Sequence, residues 1–329
     1  MTVPAVYSLA RTYPSVQVKV LTDECFMPLF VDHPANVSFI PYSKRRDGSI
    51  RGLLRLLARL QREEITHVAD FHNVLRSWLI DAGMLLSGCK IRMLSKQRSL
   101  RRALLRGRLP AVRPFTARYF DVLEALGFPT AVSFDRLTFP HRECPVPFPR
   151  NGERWIGIAP FARYETKVYP PQLMEQVVEA LNRQPRTRVF LFGGGDKEAA
   201  VLRRWADRYE RVYTHVGELG LEQELQLMSH LDVMLTMDSA NMHLAALTGI
   251  RVVSIWGSTT PVCGFMAWNQ SPDDALCVGV PCQPCSIAGC TRCGEGHFRC
   301  LWELEPQQIL DHLAEPCVDS RNEGLHYFK

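Results

Sequence analysis

The densest chemistry of this sequence lies between Asp232 and Gly249. An apolar run ends at Asp238, and Ser239, Ala240, Asn241, Met242 and His243 follow with helical character. In open parallel sheets such a strand end is where ligands bind. The first-turn N–H groups of Ala240, Asn241 and Met242 have no intrahelical acceptor, and with the positive end of the helix dipole they make a seat for a diphosphate. The plainer reading is that Asp238 or Ser239 caps the helix and that His243 is packed. A second run, Arg251 to Trp256, ends in Gly257, Ser258, Thr259 and Thr260, whose N–H and hydroxyl groups suit phosphate oxygens at the same edge. A third, Arg188 to Phe192, meets Gly193-Gly194-Gly195 and then Glu198. Glu stands where the dinucleotide fingerprint has its third glycine, and there is no Walker A pattern, which disfavours dehydrogenases and P-loop ATPases. Glu198 either holds ribose hydroxyls or offsets the dipole of its own helix. Lys167 sits on a loop after Trp155–Ala159, where a cation would neutralise a departing diphosphate, or else is simply solvated.

Positioning these residues requires alternating strands and helices. In residues 151–329 strands are expected at 155–159, 188–192, 212–215, 232–237, 251–256 and 275–278, with helices at 171–182, 197–209, 222–230 and 239–247 between them. In residues 1–150 the strands are 16–21, 37–40, 66–69 and 90–94, and the helices 49–62, 74–86 and 116–126. Both halves thus read as doubly wound α/β domains, 1–150 and 151–329, and the proline-rich stretch 127–150 reads as a linker. The chain opens on a helix, Val3 to Ala10, with no strand ahead of it.

Hydrophobic residues make up 46% of the 329 and charged residues 22%, enough for ordinary cores, and no apolar stretch is long enough to span a membrane. The charge is asymmetric: residues 1–150 hold 23 Lys and Arg against 12 Asp and Glu, while 151–329 hold 16 against 22. Ten of the cations fall in Lys90–Arg118 without one acid, a segment suited to nucleic acid, an anionic membrane or a phosphorylated substrate, or to plain solvation. Nucleic acid is disfavoured because no aromatic interleaving or known module accompanies it. Six of the eleven cysteines crowd into Cys277–Cys300. Cys282, Cys285, Cys290 and Cys293 form two Cys-x-x-Cys pairs, but only four residues separate them, short of a zinc ribbon. Reduced packed thiols, zinc and an internal disulfide are the three readings.

The ordered set Lys167-x-Tyr169-Pro170, Gly193–Gly195, Asp238-Ser239-Ala240-x-x-His243 and Gly257-Ser258-Thr259-x-Pro261 resembles glycosyltransferase family 9, the ADP-heptose:lipopolysaccharide heptosyltransferases. The likeness continues in Ala69–Arg76 and Arg118–Leu123 and spans the chain. It implies a GT-B fold: two Rossmann-like doubly wound parallel-sheet domains facing a cleft, with acceptor in the first and nucleotide-sugar in the second. It also implies inverting, metal-independent transfer from ADP-heptose, used as substrate with no cofactor, to a lipopolysaccharide core or related anionic glycolipid. Lys167 and Asp238 are then the catalytic candidates, and Glu198, Ser239–His243 and Gly257–Thr260 bind the donor. Arg76, Arg98, Arg101 and Arg102 meet the anionic acceptor, and the enzyme is cytoplasmic and peripheral at the inner membrane. Two departures stand out. Ala240 occupies a position where many relatives have Gly. The family's Gly-Asp pair, whose Asp is taken as general base, would precede Met1, so the alternatives there are an upstream start or a truncated non-catalytic nucleotide-sugar binder; a glycosyltransferase with a different sugar donor is a separate alternative.

Overall fold

The computed structural model describes residues 1–140 and 143–315. The chain divides into two compact units: Met1–Arg98 with Phe115–Asp135, and Ser99–Pro114 with the chain from Arg136 onward. The second unit's tail from residue 316 lies outside the described residues.

The first unit holds α1 (Val3–Thr12), β1 (Val18–Asp23), β2 (Val37–Tyr42), α2 (Lys44–Asp47), α3 (Ile50–Leu60), β3 (His67–Asp70), α4 (Leu75–Leu86), β4 (Lys90–Met93) and, after an excursion, α6 (Phe115–Ala125). Its strands form two parallel pairs, β1 with β2 and β3 with β4, rather than the one doubly wound sheet expected. Among the described residues no further strand joins the pairs. Apolar packing joins them instead: Ile40 and Tyr42 of β2 share a core with Leu53, Leu56 and Leu60 of α3, Ile80 and Met84 of α4, and Val68 and Ile91 of β3 and β4. Ser49 starts α3 by accepting the N–H of Gly52, the cap expected of serine.

The second unit contains α5 (Arg98–Leu105, nearly all of it), β5 (Arg154–Ala159), α7 (Pro171–Arg183), β6 (Thr187–Leu191), α8 (Gly195–Arg208), β7 (Val212–Thr214), α9 (Leu221–Ser229), β8 (Val233–Met237), α10 (Ala240–Leu247), β9 (Arg251–Ile255), β10 (Ala275–Leu276), α11 (Arg299–Trp302) and α12 (Pro306–Ala314). Its six strands are all parallel in the order β10-β9-β8-β5-β6-β7. Starting from β5, the chain winds out to β6 and β7, returns to β8 on the other side, and continues to β9 and β10. The winding therefore reverses between β5 and β8, the crevice where doubly wound sheets bind ligands. Every residue of β8 is buried, as a strand covered on both faces must be. In α7, Met174, Val177, Val178 and Leu181 are buried at helical spacing against that sheet.

Two boundaries differ from the sequence reading. The domain border falls at 135/136 rather than 150, because the proline-rich stretch is anchored at both ends. The N–H groups of Ser133 and Phe134 bond to Ser8 Oγ in the first unit, and the N–H of Leu137 donates to Leu247 O in the second. The basic segment Lys90–Arg118 is likewise not one surface of the first domain. Its middle, Ser99–Pro114, belongs to the second unit, where Leu104 and Val112 pack on Cys263. At its end Arg118 is buried, with its guanidinium 4.0 Å from the centre of the Phe115 ring and donating to Ser95 O.

Candidate functional site

The reversal point places two predicted residues together. The loop after β5 ends in a short turn, Glu165–Lys167, and β8 ends at Asp238. Lys167 Nζ lies 2.9 Å from Asp238 Oδ2, with side chains only 11% and 5% exposed. The same carboxylate oxygen accepts the Thr259 hydroxyl at 2.6 Å, from the turn after β9. Three consecutive strand ends are thus tied through one buried oxygen. A buried charge survives only when paired and hydrogen-bonded, so each partner fixes the others.

Beside this pair the first turn of α10 begins. Ser239 takes the N-cap position without a side-chain cap bond, its Oγ lying 3.3 Å from Thr236 Oγ1. Ala240 is exposed, Asn241 half-buried and Met242 fully buried. His243, one turn on, is half-buried. Desolvation, reinforced by the Lys167 charge, pushes its pKa down to about 3, so the ring is neutral at physiological pH. The neutral ring offers one hydrogen-bond donor and one acceptor.

The turn after β9 does different work from that read in the sequence. Ser258 and Thr259 are both buried, and their hydroxyls are used internally: Thr259 on Asp238, and Ser258 on Thr166 Oγ1 at 2.8 Å. Only Thr260, half-buried, is less enclosed. Gly257 is required by close approach, because a Cβ there would lie 2.3 Å from Thr166 O. Glu198 turns back on its own helix start, accepting the Gly194 N–H at 2.9 Å.

Thr166 and Gln283 are the residues that motif reasoning missed. Thr166, buried beside Lys167, accepts the Cys290 N–H at 3.0 Å and donates to Cys290 O at 2.7 Å. Its own carbonyl accepts the Ser258 N–H. Gln283 Nε2 donates to Trp256 O at 2.9 Å and Gly257 O at 2.7 Å, and the N–H groups of Cys285 and Ser286 both reach Ser258 O at 3.0 Å. The cysteine-rich loop is therefore a brace for the Gly257–Thr259 turn, acting through main-chain groups and one amide. Its thiols are not gathered for a metal: among the described residues no three His, Cys, Asp or Glu side chains are so placed. Cys282 Sγ lies 3.8 Å from His297 Nε2, while the Cys285 and Cys290 thiols point to the carbonyls of Ser258 and Arg292. Cys293 belongs to the same loop, its thiol pKa lowered by surrounding main-chain N–H groups.

The four arginines expected at the acceptor are divided between the units. Arg76 is exposed in the first unit and donates to Tyr42 OH at 2.9 Å. Arg98 closes the first unit's opening segment, while Arg101 and Arg102 belong to the second on α5.

The sequence profile of glycosyltransferase family 9 (heptosyltransferase) matches residues 53–293. This chain belongs to that family. Among curated members, the family 9 chain is 23% identical to lipooligosaccharide heptosyltransferase 2 of Campylobacter jejuni over 49% of its length, and it spans about half the length of that relative. It is 20% identical to lipopolysaccharide heptosyltransferase 3 of Escherichia coli, over 79% of this chain and 80% of the other. Solved structures show the fold. The family 9 glycosyl transferase of Veillonella parvula superposes with a TM-score of 0.72 at 16% identity, over 94% of this chain and 91% of that one. The E. coli ADP-heptose lps heptosyltransferase II gives 0.67 at 18%, over 95% and 93%. The GT-B class of α/β fold implied by the sequence is thereby borne out.

Proposed function

We propose that this family 9 chain transfers heptose from ADP-heptose, with inversion, to a lipopolysaccharide core or related anionic glycolipid, at the cytoplasmic face of a membrane. The observation that carries the reading is the buried Lys167–Asp238–Thr259 junction beside the open start of α10, at the reversal point of the second unit's sheet. Two relatives support the choice of donor, one solved as an ADP-heptose lps heptosyltransferase and one, E. coli heptosyltransferase WaaC, with ADP.

Transfer requires an acceptor hydroxyl to attack the anomeric carbon, losing its proton to a carboxylate base as it does so, while the nucleoside diphosphate leaves from the opposite face. Negative charge then builds on the diphosphate. Fixed donors aimed at it lower the barrier because they need no reorganisation as the charge develops. The α10 N–H groups provide such donors. Lys167 provides a cation whose position is set by Asp238, with two further N–H donors left for phosphate oxygens. Asp238 is committed to Lys167 and Thr259, so its role is orientation rather than proton abstraction. Neutral His243 contributes a hydrogen bond to the diphosphate or sugar.

Calorimetric titration of ADP into the full chain tests the site. Lys167→Met and His243→Ala should each weaken ADP by about tenfold, the value of a lost charge-assisted or buried hydrogen bond near 1.4 kcal/mol. Release of ADP from ADP-heptose, assayed with and without a glycolipid acceptor, tests the donor. ADP binding unchanged in both variants would overturn the assignment.

A further inference from the structure

Helix α4 is built inside out. Leu75, Trp78, Ala82, Leu85 and Leu86 recur at helical spacing along one arc, and that arc faces solvent. Their exposures are large: 78% for Leu75, 48% for Trp78, 61% for Leu85 and 90% for Leu86. The buried arc carries Ile80, Met84 and the acid Asp81. An ordinary surface helix has the reverse arrangement. The neighbouring helix enlarges the patch. Gly83 lets α4 approach α3 so closely that a Cβ there would lie 2.2 Å from Leu57 Cδ2. On α3, Ile50 and Leu54 are exposed by 71% and 52%.

The charge exposed on the two helices themselves is of one sign. Arg51 and Arg55 are exposed on α3, and Arg76 is exposed at the start of α4. No acid lies on either exposed arc, since α3 has none and the one acid of α4, Asp81, is buried. Contiguous exposed apolar surface marks a docking site. An apolar stripe about 18 Å long, flanked by arginines and carrying a tryptophan, has the composition of helices that lie in the headgroup region of a bilayer. A second copy of this chain is a poorer occupant, because a two-fold contact of these helices would bring their like-charged arginines together.

We infer that the α3–α4 face of the first unit docks on an anionic lipid bilayer, with the leucines and Trp78 entering the headgroup region and Arg51, Arg55 and Arg76 meeting anionic headgroups. The inference deepens the proposed transfer to a glycolipid and rests on that reading for its biological setting. It differs from the sequence expectation, in which Lys90–Arg118 was the segment suited to an anionic membrane or a phosphorylated acceptor.

Flotation of the full chain with phosphatidylcholine vesicles, with and without phosphatidylglycerol, tests it. The wild-type chain should float only with the anionic vesicles. Leu75→Ser/Leu85→Ser/Leu86→Ser should reduce the bound fraction by about tenfold or more, and Arg51→Gln/Arg55→Gln should reduce it chiefly at low salt. All these side chains are exposed, so the unfolding temperature and ADP affinity of the variants should match wild type. Wild type that stays with neither vesicle overturns the docking face, as does full binding by the leucine variant. A leucine variant that converts a dimer to a monomer in sedimentation, with no change in flotation, assigns the face to a second copy and overturns it too. ADP binding separates the two readings: vesicle binding without ADP affinity sinks the donor site alone, and ADP affinity without vesicle binding sinks the docking face alone.

Discussion

Thr166→Val removes one hydroxyl and keeps the side chain's shape. That hydroxyl is the node between the cysteine-rich loop and the turn after β9: it accepts from Cys290 N at 3.0 Å and Ser258 Oγ at 2.8 Å, and donates to Cys290 O at 2.7 Å. Valine strands all three groups. A buried unsatisfied group costs about 1–3 kcal/mol. The Ser258 hydroxyl can rotate and half-buried Cys290 can reach water, so the sum should fall near the low end, about 2–3 kcal/mol. For a unit of this size each kcal/mol lowers the melting temperature by roughly 2–4 °C, giving a fall of roughly 5–10 °C by calorimetry.

The functional consequence follows from what the turn holds. Ser258 is next to Thr259, and Thr259 orients Asp238, which orients Lys167. If about 1 kcal/mol of the loss appears as a less defined Lys167, ADP should bind about fivefold more weakly. Thr166→Ser retains the hydroxyl and should restore most of both quantities. A melting temperature within a degree of wild type would show that the node carries no weight. A lowered melting temperature with unchanged ADP affinity would show that the loop braces the fold without positioning the site.

Other perturbations test neighbouring parts. Gly257→Ala places a methyl 2.3 Å from a main-chain oxygen and should cost about 1–3 kcal/mol, measured by chemical denaturation. Cys285→Ser with Cys290→Ser should leave ADP affinity within about twofold, because the loop grips the turn mainly through main-chain groups; loss of bound zinc together with affinity would contradict this. Burial and the adjacent Asp70 carboxylate raise Asp81 from 3.8 to about 7. The folded state thus holds its proton more tightly, and stability present below the ordinary carboxyl pKa is lost as pH rises to about 7, by up to about 4 kcal/mol. Asp81→Asn should flatten that slope in pH-dependent unfolding. His243 acts with the opposite pH dependence: its pKa falls from 6.5 to about 3, so its contribution is present above pH 6.5 and lost on acidification, and His243→Gln should lessen acid sensitivity in that window.

What the sequence made legible was governed by local rules. The strand-to-helix switches at Asp238 and Gly193–Gly195 were readable because an apolar run, a turn and a helix leave a period change in neighbouring residues. All six second-unit strands are where β-branched and apolar runs put them, within a few residues. What escaped was set by contacts distant in sequence. Thr166 and Cys290 are 124 residues apart, and nothing in Glu165-Thr166-Lys167 marks the threonine as a node. Ser258 and Thr259 looked like phosphate ligands because hydroxyls after a glycine suit both a ligand and an internal network; the tertiary neighbours decided for the network. The basic run failed for a related reason. Counting charge along the chain assumes that neighbours in sequence share a surface, and here the chain passes from one unit to the other and back within thirty residues. The apolar arc of α4 was hidden by the complementary error. Leucines at helical spacing do not say which arc faces outward, and the exposures of Leu75, Trp78, Leu85 and Leu86 do. A buried acid costs free energy that solvent exposure would avoid, so Asp81 inside and four large apolar side chains outside cost the isolated first unit stability, an arrangement that fits the docking face inferred above.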